Sequence, residues 1–376
     1  MKKKYLFLMR TDEFGGAERF QLDYFKFINY ERYDVVFGVN VDIFNQYFLK
    51  YNLPIKTIRF PVHDPALNFL STFLKYLKLF NTLKPDRIVF NQFWLSTFSL
   101  PEIIAAFFIT RGNVYIVVHD CPPVPSNFNS RLFKTFQGYF VKKTLAVSKA
   151  SRNRLVNGHK FPNSKVSINY HGVDIIHNSP SLENKKNLRN ELQILESDIV
   201  VVSTALLFKG KRIDRLLEVF RELAKEQLNI YLLIVGSGPE TKNLKNLVDT
   251  FDHSIKERIK FLGFKENVAA ILQLSDIFVL PSDSEGLPLA CLEAMSCGLI
   301  CVVTDCGGPI EIIQNGYNGF LVSKSKEGVL EGLKKAFNLN KDEKEKLVKN
   351  ARNHIEKEFN IQKNIASGLN ILQMVG

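Results

Sequence analysis

The chain has 376 residues, too long for one ordinary core and suited to two domains of roughly 150–200 residues each. Apolar residues make up 45% and charged residues 23%, which excludes wholesale disorder, and no run approaches the ~18 uninterrupted apolar residues of a membrane span. Fifty basic against 38 acidic side chains give +12, a surplus that attracts anions, but with no zinc-finger spacing, RNP-type aromatic motif or long basic tail, nucleic acid is not an expected partner.

The opening "MKKKYLFLMR" has too few apolar positions for a signal-peptide core and reads as a first buried strand, so a cytoplasmic protein is expected. Further strands are predicted at 34–39, 54–60, 87–92, 114–119 and 144–148, with helical patterns between them at 16–29 and 68–84. In the second of these, Phe69, Phe73, Leu77, Phe80 and Leu83 recur at three- and four-residue steps, as one buried helix face requires. Apolar periodicity lapses at 169–186, where Asn, Ser and Pro accumulate, and then restarts with strands at 198–206, 229–238, 258–264, 276–282, 299–305 and 319–323. Strands this apolar, joined by helices, imply parallel sheets covered on both faces. The expected fold is therefore α/β with two Rossmann-like domains. Residues 1–170 form the first, 171–186 a hinge, 187–355 the second, and 356–376 a C-terminal helix returning to the first domain. Ligands in open α/β sheets bind beyond the carboxyl ends of strands, so the cleft between the domains is the expected site.

The five cysteines, Cys121, Cys291, Cys297, Cys301 and Cys306, lack a CxxC pair and have no His among the last four. They read as buried small hydrophobes in a reducing compartment, with neither a zinc site nor a disulfide framework expected.

The stretch "SDSEGLPLACLEAMSCG" (282–298) follows a predicted strand and holds two acids, Glu285 and Glu293, with seven residues between them. Pro288 suits a first helical turn and Gly298 a stop. Backbone N–H groups around Gly286 and Leu287 would then face an anion, assisted by the helix dipole. Pro288 and Glu293 lie about 7.5 Å apart along a helix axis, which fits a phosphate at the helix start and a ribose hydroxyl at Glu293. Glu285, ahead of the helix, is placed to reach the group beyond the phosphates.

Other strand ends carry chemistry of the same kind. Gly15 and Gly16 open a helix after the first strand and admit a diphosphate against bare backbone, or serve only as a strand-to-helix turn. His119 ends an apolar strand and reads as a cleft-facing hydrogen-bond donor or as a structural histidine. "KGKRID" (209–214) offers Lys209, Lys211 and Arg212 to the charge growing on a leaving diphosphate. "VGSGPE" (235–240) contributes Gly236 and Gly238, but Thr241 stands where GxGxxG needs its last Gly, so a nicotinamide site is poorly supported. No DxD lies beside the site, so no metal and no cofactor are expected.

Taken together, "RIKFLGFKENVAAILQLSDIFVLPSDSEGLPLACLEAMSCGLICVVTDCGGPIEIIQNGYNGFLV" resembles the C-terminal half of the family-four glycosyltransferases. The match includes their E-x7-E motif at Glu285 and Glu293. Six further landmarks occur in order: "GGAER" (15–19), "HD" (119–120), "VSKASR" (147–152), "HGVD" (171–174), "KRID" (211–214) and "GSGP" (236–239). The resemblance covers nearly the whole chain. It implies the GT-B fold and transfer, with retention, of a sugar from a nucleotide-sugar, UDP-linked before GDP-linked, to a glycan or lipid-linked acceptor in surface polysaccharide or lipopolysaccharide synthesis. It also implies that Lys211 and nearby N–H groups stabilise the diphosphate, Glu293 holds ribose, Glu285 positions sugar hydroxyls and His119 supports the reacting face. One position departs from the pattern: where the family usually has an Arg, this chain has Leu206, and Lys209 or Arg212 is left to substitute for it. The basic aromatic run "FNSRLFKTFQGYFVKK" (128–143) reads as core or as a helix on anionic lipid at the inner face of the plasma membrane. A nucleotide-sugar 2-epimerase and a non-catalytic nucleotide-binding protein are the rival readings.

Overall fold

A computed structural model of the chain describes residues 2–11, 15–60, 68–92, 97–119 and 134–374. The chain divides into two units, one made of residues up to His171 together with those from Lys363, the other of Gly172–Gln362.

The first unit is a seven-stranded parallel sheet in the order β3-β2-β1-β4-β5-β6-β7. Its strands are β1 (Lys3–Met9), β2 (Tyr33–Val39), β3 (Lys56–Arg59), β4 (Arg87–Gln92), β5 (Val114–Val118), β6 (Lys143–Ala146) and β7 (Val166–Ile168). β1 and β5 are buried on both faces, which is why their sequences run apolar without alternation. Helices lie between the strands, among them Gly16–Lys26, Phe69–Leu83 and Leu100–Ile109. The face that Phe69–Leu83 buries is Thr72, Tyr76 and Phe80, whereas Phe69 is 47% exposed. Phe80 is fully buried and Phe73, Leu77 and Leu83 pack against the same core, so the predicted face holds except at its first residue. The Tyr76 hydroxyl, on that side, accepts from Arg10 Nη2 at 2.9 Å.

The last helix, Ile361–Ile371, runs into this unit. The Tyr5 hydroxyl donates to the carbonyls of Leu372 and Gln373 at 3.0 and 2.9 Å, and Arg87 Nη1 donates to Gln373 O at 2.8 Å. Gly368 sits against Tyr24 and Asn169 so closely that a Cβ would lie 1.6 Å from the Tyr24 hydroxyl.

The second unit is a six-stranded parallel sheet in the order β10-β9-β8-β11-β12-β13. Its strands are β8 (Ile199–Thr204), β9 (Ile230–Val235), β10 (Ile259–Gly263), β11 (Ile277–Leu280), β12 (Ile300–Thr304) and β13 (Phe320–Val322). One core cluster joins the inner face of the helix Ile213–Glu226, through Leu216, Leu217, Phe220 and Leu223, to β8, β9 and β12. At the base of the sheet Arg189, 1% exposed, donates to the carbonyls of Leu274, Leu195, Glu196 and Asp198 and pairs with Asp276 at 2.6 Å. Strand order reverses between β8 and β11, and that switch point is where α/β sheets leave a crevice at the carboxyl ends of the strands.

Candidate functional site

Three of the predicted cations follow β8 directly. Lys209–Lys211 form a single 3-10 turn, and Arg212 then adopts a left-handed backbone, φ 52°, to start the next helix. Arg212 is engaged by protein carboxylates: its guanidinium donates to Asp214 through Nε at 3.1 Å and Nη2 at 3.1 Å, and Nη1 reaches Asp283 at 3.3 Å. Asp283 also accepts from Arg215 Nη2 at 2.9 Å, and Arg215 Nη1 donates to Pro281 O at 2.7 Å. The Asp283 amide returns a bond to Gly210 O at 2.9 Å. The loop after β8 and the loop after β11 are thereby clamped together. Lys209 is exposed, and Leu206 is half-buried.

The clamp sets Lys211 opposite Glu285, with Nζ 2.7 Å from Oε1 and the two side chains 18% and 9% exposed. Glu285 is held from behind as well. Its amide donates to Cys306 O at 3.2 Å, and Gly308 N donates to Glu285 O at 2.9 Å. Beyond it, Gly286, Leu287 and Pro288 lead into the helix Leu289–Ser296, with Pro288 as its N-cap. Leu289 and Ala290 are the first two helical residues, so their N–H groups have no partner within the helix and face an anion-binding end. Glu293 lies within that helix and is half-buried; Gly298, φ 84°, ends it. The buried hydroxyls of Ser203, Thr204 and Ser282, at the carboxyl ends of β8 and β11, have no hydrogen-bond partner among the described residues.

Gly236 and Gly238 follow β9. At Gly236, φ 131°, an added Cβ would lie 1.9 Å from Ala205 O, so the requirement for glycine comes from the neighbouring loop after β8. Leu207 N donates to Ser237 O at 2.9 Å and Glu240 N to Leu207 O at 2.9 Å, which seats the β9 loop on the β8 loop.

In the first unit, Gly15 caps the helix Gly16–Lys26, and its amide donates to Glu18 Oε2 at 2.9 Å. His119 follows β5; its amide donates to Gln92 O at 3.0 Å, and its ring meets Phe20 edge-on at 4.9 Å. Burial, and then the charge of His171, push its imidazole down to about 3, so it is neutral at physiological pH. His119 Nε2 has no hydrogen-bond partner among the described residues. His171 lies over the same Phe20, at 4.7 Å, with Nε2 3.5 Å from Asp23 Oδ2. Asp120 and Cys121 lie outside the described residues, as do residues 128–133 of the basic aromatic run. Over its remainder no single helix forms: residues 134–137 are helical, Gly138–Phe140 is a 3-10 turn and β6 begins at Lys143. Phe136 and Tyr139 are exposed there, while Gln137 and Gly138 are buried.

Sequence reasoning missed Asp283, Arg215, Asp23 and the three hydroxyls. Asp283 stands beside Glu285 in the quoted motif, but its partners are 68 and 71 residues away. Among the described residues no group of three His, Cys, Asp or Glu side chains is placed to hold a metal ion, and no helix is long and apolar enough to cross a membrane. Cys291, Cys297, Cys301 and Cys306 are buried free thiols, and burial pushes Cys297 and Cys306 up to about 12.

Residues 184–354 match the family "Glycosyl transferases group 1". An uncharacterized glycosyltransferase of Haemophilus influenzae is 28% identical over 89% of this chain and 90% of its own length. The UDP-Gal:alpha-D-GlcNAc-diphosphoundecaprenol alpha-1,3-galactosyltransferase of Escherichia coli is 32% identical over 54% of this chain and 52% of its own. Among solved structures, Anabaena Alr3699/HepE in complex with UDP and glucose superposes with a TM-score of 0.82 at 20% identity, over 99% of this chain and all of the other. The fold is that of the GT-B enzymes, as the sequence resemblance implied.

Proposed function

We propose, from the match of residues 184–354 to the group 1 glycosyl transferases, that the protein is a glycosyltransferase that moves a hexosyl group from a nucleotide-sugar to a glycan or lipid-linked acceptor with retention. The observation that carries this reading is the Lys211–Glu285 pair at the switch point, beside an open helix N-terminus. A cation and free amides suit a leaving diphosphate, and a buried carboxylate suits sugar hydroxyls. UDP is the favoured carrier, supported by the HepE complex with UDP and by the UDP-Gal specificity of the E. coli relative.

In the proposed reaction the C1–O bond to the diphosphate breaks as the acceptor oxygen bonds C1 on the same face. The acceptor proton passes to the departing phosphate oxygen. Lys211 and the amides of Gly286, Leu287, Leu289 and Ala290 neutralise the leaving group, Glu285 orients sugar hydroxyls and Glu293 receives the ribose. No resident metal or cofactor enters this scheme. His119, a neutral imidazole, serves as a hydrogen-bonding group and not as a base.

Relatives in O-antigen and colanic acid biosynthesis support a surface-polysaccharide acceptor. Exposed Phe136 and Tyr139, close in sequence to Lys134, Lys142 and Lys143, support peripheral attachment at the inner membrane face. The test is a panel of UDP- and GDP-sugars screened for thermal stabilisation of the pure protein, followed by transfer to lipid-linked acceptors. Stabilisation by none of them would overturn the reading.

A further inference from the structure

Lys211 and Glu285 satisfy each other at 2.7 Å, yet the proposed reaction needs each of them for something else. Lys211 is to meet a diphosphate and Glu285 the hydroxyls of a sugar. Both backbones are pinned. The Lys211 amide donates to Phe208 O at 2.9 Å, and the next residue is locked by Asp214 and Asp283. Glu285 is bonded through its amide and its carbonyl to the 306–308 segment, which it meets in an isolated bridge. The pair therefore separates by side-chain rotation alone.

Breaking such a pair leaves a mostly buried carboxylate without its cation, which is strongly unfavourable unless new donors replace the ammonium. Sugar hydroxyls are donors of the right kind. A nucleoside diphosphate without its sugar captures Lys211 and supplies none.

Resting on the donor-site reading above, we propose that Glu285 competes with the nucleotide's diphosphate for Lys211 and so acts as a release gate. The intact nucleotide-sugar opens the pair and compensates both partners. Once the sugar has left, Glu285 has no hydroxyl partner, reclaims Lys211 and expels the nucleoside diphosphate. The same carboxylate that holds the sugar thus lowers affinity for the product.

The experiment is calorimetric titration of UDP and of GDP into the full chain as wild type, Glu285→Gln, Lys211→Met and the double variant. Glu285→Gln is expected to bind the accepted nucleoside diphosphate at least about tenfold more tightly than wild type, with little gain in the Lys211→Met background, as a direct pairwise competition requires. Glu285→Ala, read in the same way, is the second variant if the glutamine form does not fold. Unchanged or weaker binding in both variants overturns the gate. An equal gain with and without Lys211 also overturns it, because that pattern marks a general charge effect. Binding of neither nucleotide to any of the proteins overturns the donor-site reading itself, and the gate with it.

Discussion

Gly308 packs so closely against Gly286 that a Cβ on Gly308 would lie 1.9 Å from the Gly286 carbonyl oxygen. The contact belongs to the bridge that holds Glu285 against Gly307, so the position of the acid depends on the absence of a side chain two peptides away. Gly308→Ala is expected to lower stability by about 2 kcal/mol, the usual scale of forced overpacking. It should also reduce sugar transfer further than the loss of folded protein explains. Urea denaturation followed by turnover per folded molecule checks both parts.

Asp283 joins Arg212 and Arg215, and its amide holds Gly210 O, so its expected effect on the reaction passes through the placement of Lys211. Asp283→Asn removes the charge and leaves buried Arg215 with a weaker partner. The expected outcome is a loss of about 1–2 kcal/mol in stability, at or below the lower end for a hydrogen bond to a charged group because Asp283 is half-exposed and screened by solvent. Nucleoside diphosphate affinity should fall with it. An Asp283→Asn protein with wild-type melting temperature and affinity would show that the clamp is ornamental.

Arg189 supports the sheet from the opposite end. Burial alone would raise the Asp276 carboxyl, but Lys185, the Val200 amide and Arg189 overcome that and hold it below its ordinary value. Arg189→Met leaves Asp276 with only Lys185 and the Val200 amide and removes the guanidinium from four carbonyls, and should destabilise the second unit by about 3–5 kcal/mol, as breaking a buried pair does. Nucleotide affinity of the folded fraction should be unaffected, since the residue lies at the amino end of β8 and the site at its carboxyl end. Chemical denaturation and titration of the same samples separate the two effects.

The first unit carries an acid-sensitive pair. Burial alone would raise the Asp23 carboxyl; His171, Arg19 and Lys26 overcome it and bring it to about 2. The folded value lies below the unfolded value, so the unfolded chain binds more protons. This contribution is therefore complete above about pH 4 and disappears as pH falls toward 2. His119 acts in the same direction in a higher window: its folded value of about 3 lies below the ordinary 6.5, so stability falls as pH drops from about 6.5. His119→Phe should flatten the stability curve between pH 6.5 and 4, and Asp23→Asn should flatten it below pH 4. Melting temperatures measured across that range check both.

β1, β5, β11 and β12 were legible because they are buried on both faces and written as nearly continuous apolar runs. β7 was not, being three residues with a serine at its centre. The candidate site residues of the second unit stood out as strand-end motifs: Lys211 after one strand, Glu285 after another. Their pairing did not, since it depends on β8 and β11 being neighbours in the sheet although two strands separate them in the chain. For the same reason Arg212 read as a free phosphate ligand. Asp214, two residues on, was visible beside it, but Asp283 was not visible as a partner. Gly236 was read as a ligand-facing glycine, and the carbonyl that demands it, on Ala205, belongs to a different loop.

The helix Ile361–Ile371 and the residues after it complete the first unit, although the whole of the second unit precedes them in the chain. A released chain ending at residue 362 keeps every residue of the second unit but lacks the carbonyls of Leu372 and Gln373 that Tyr5 and Arg87 engage. Such a truncated chain should display a protease-resistant second unit beside a protease-sensitive first one, so the two halves of the protein differ in how much they owe to its last residues.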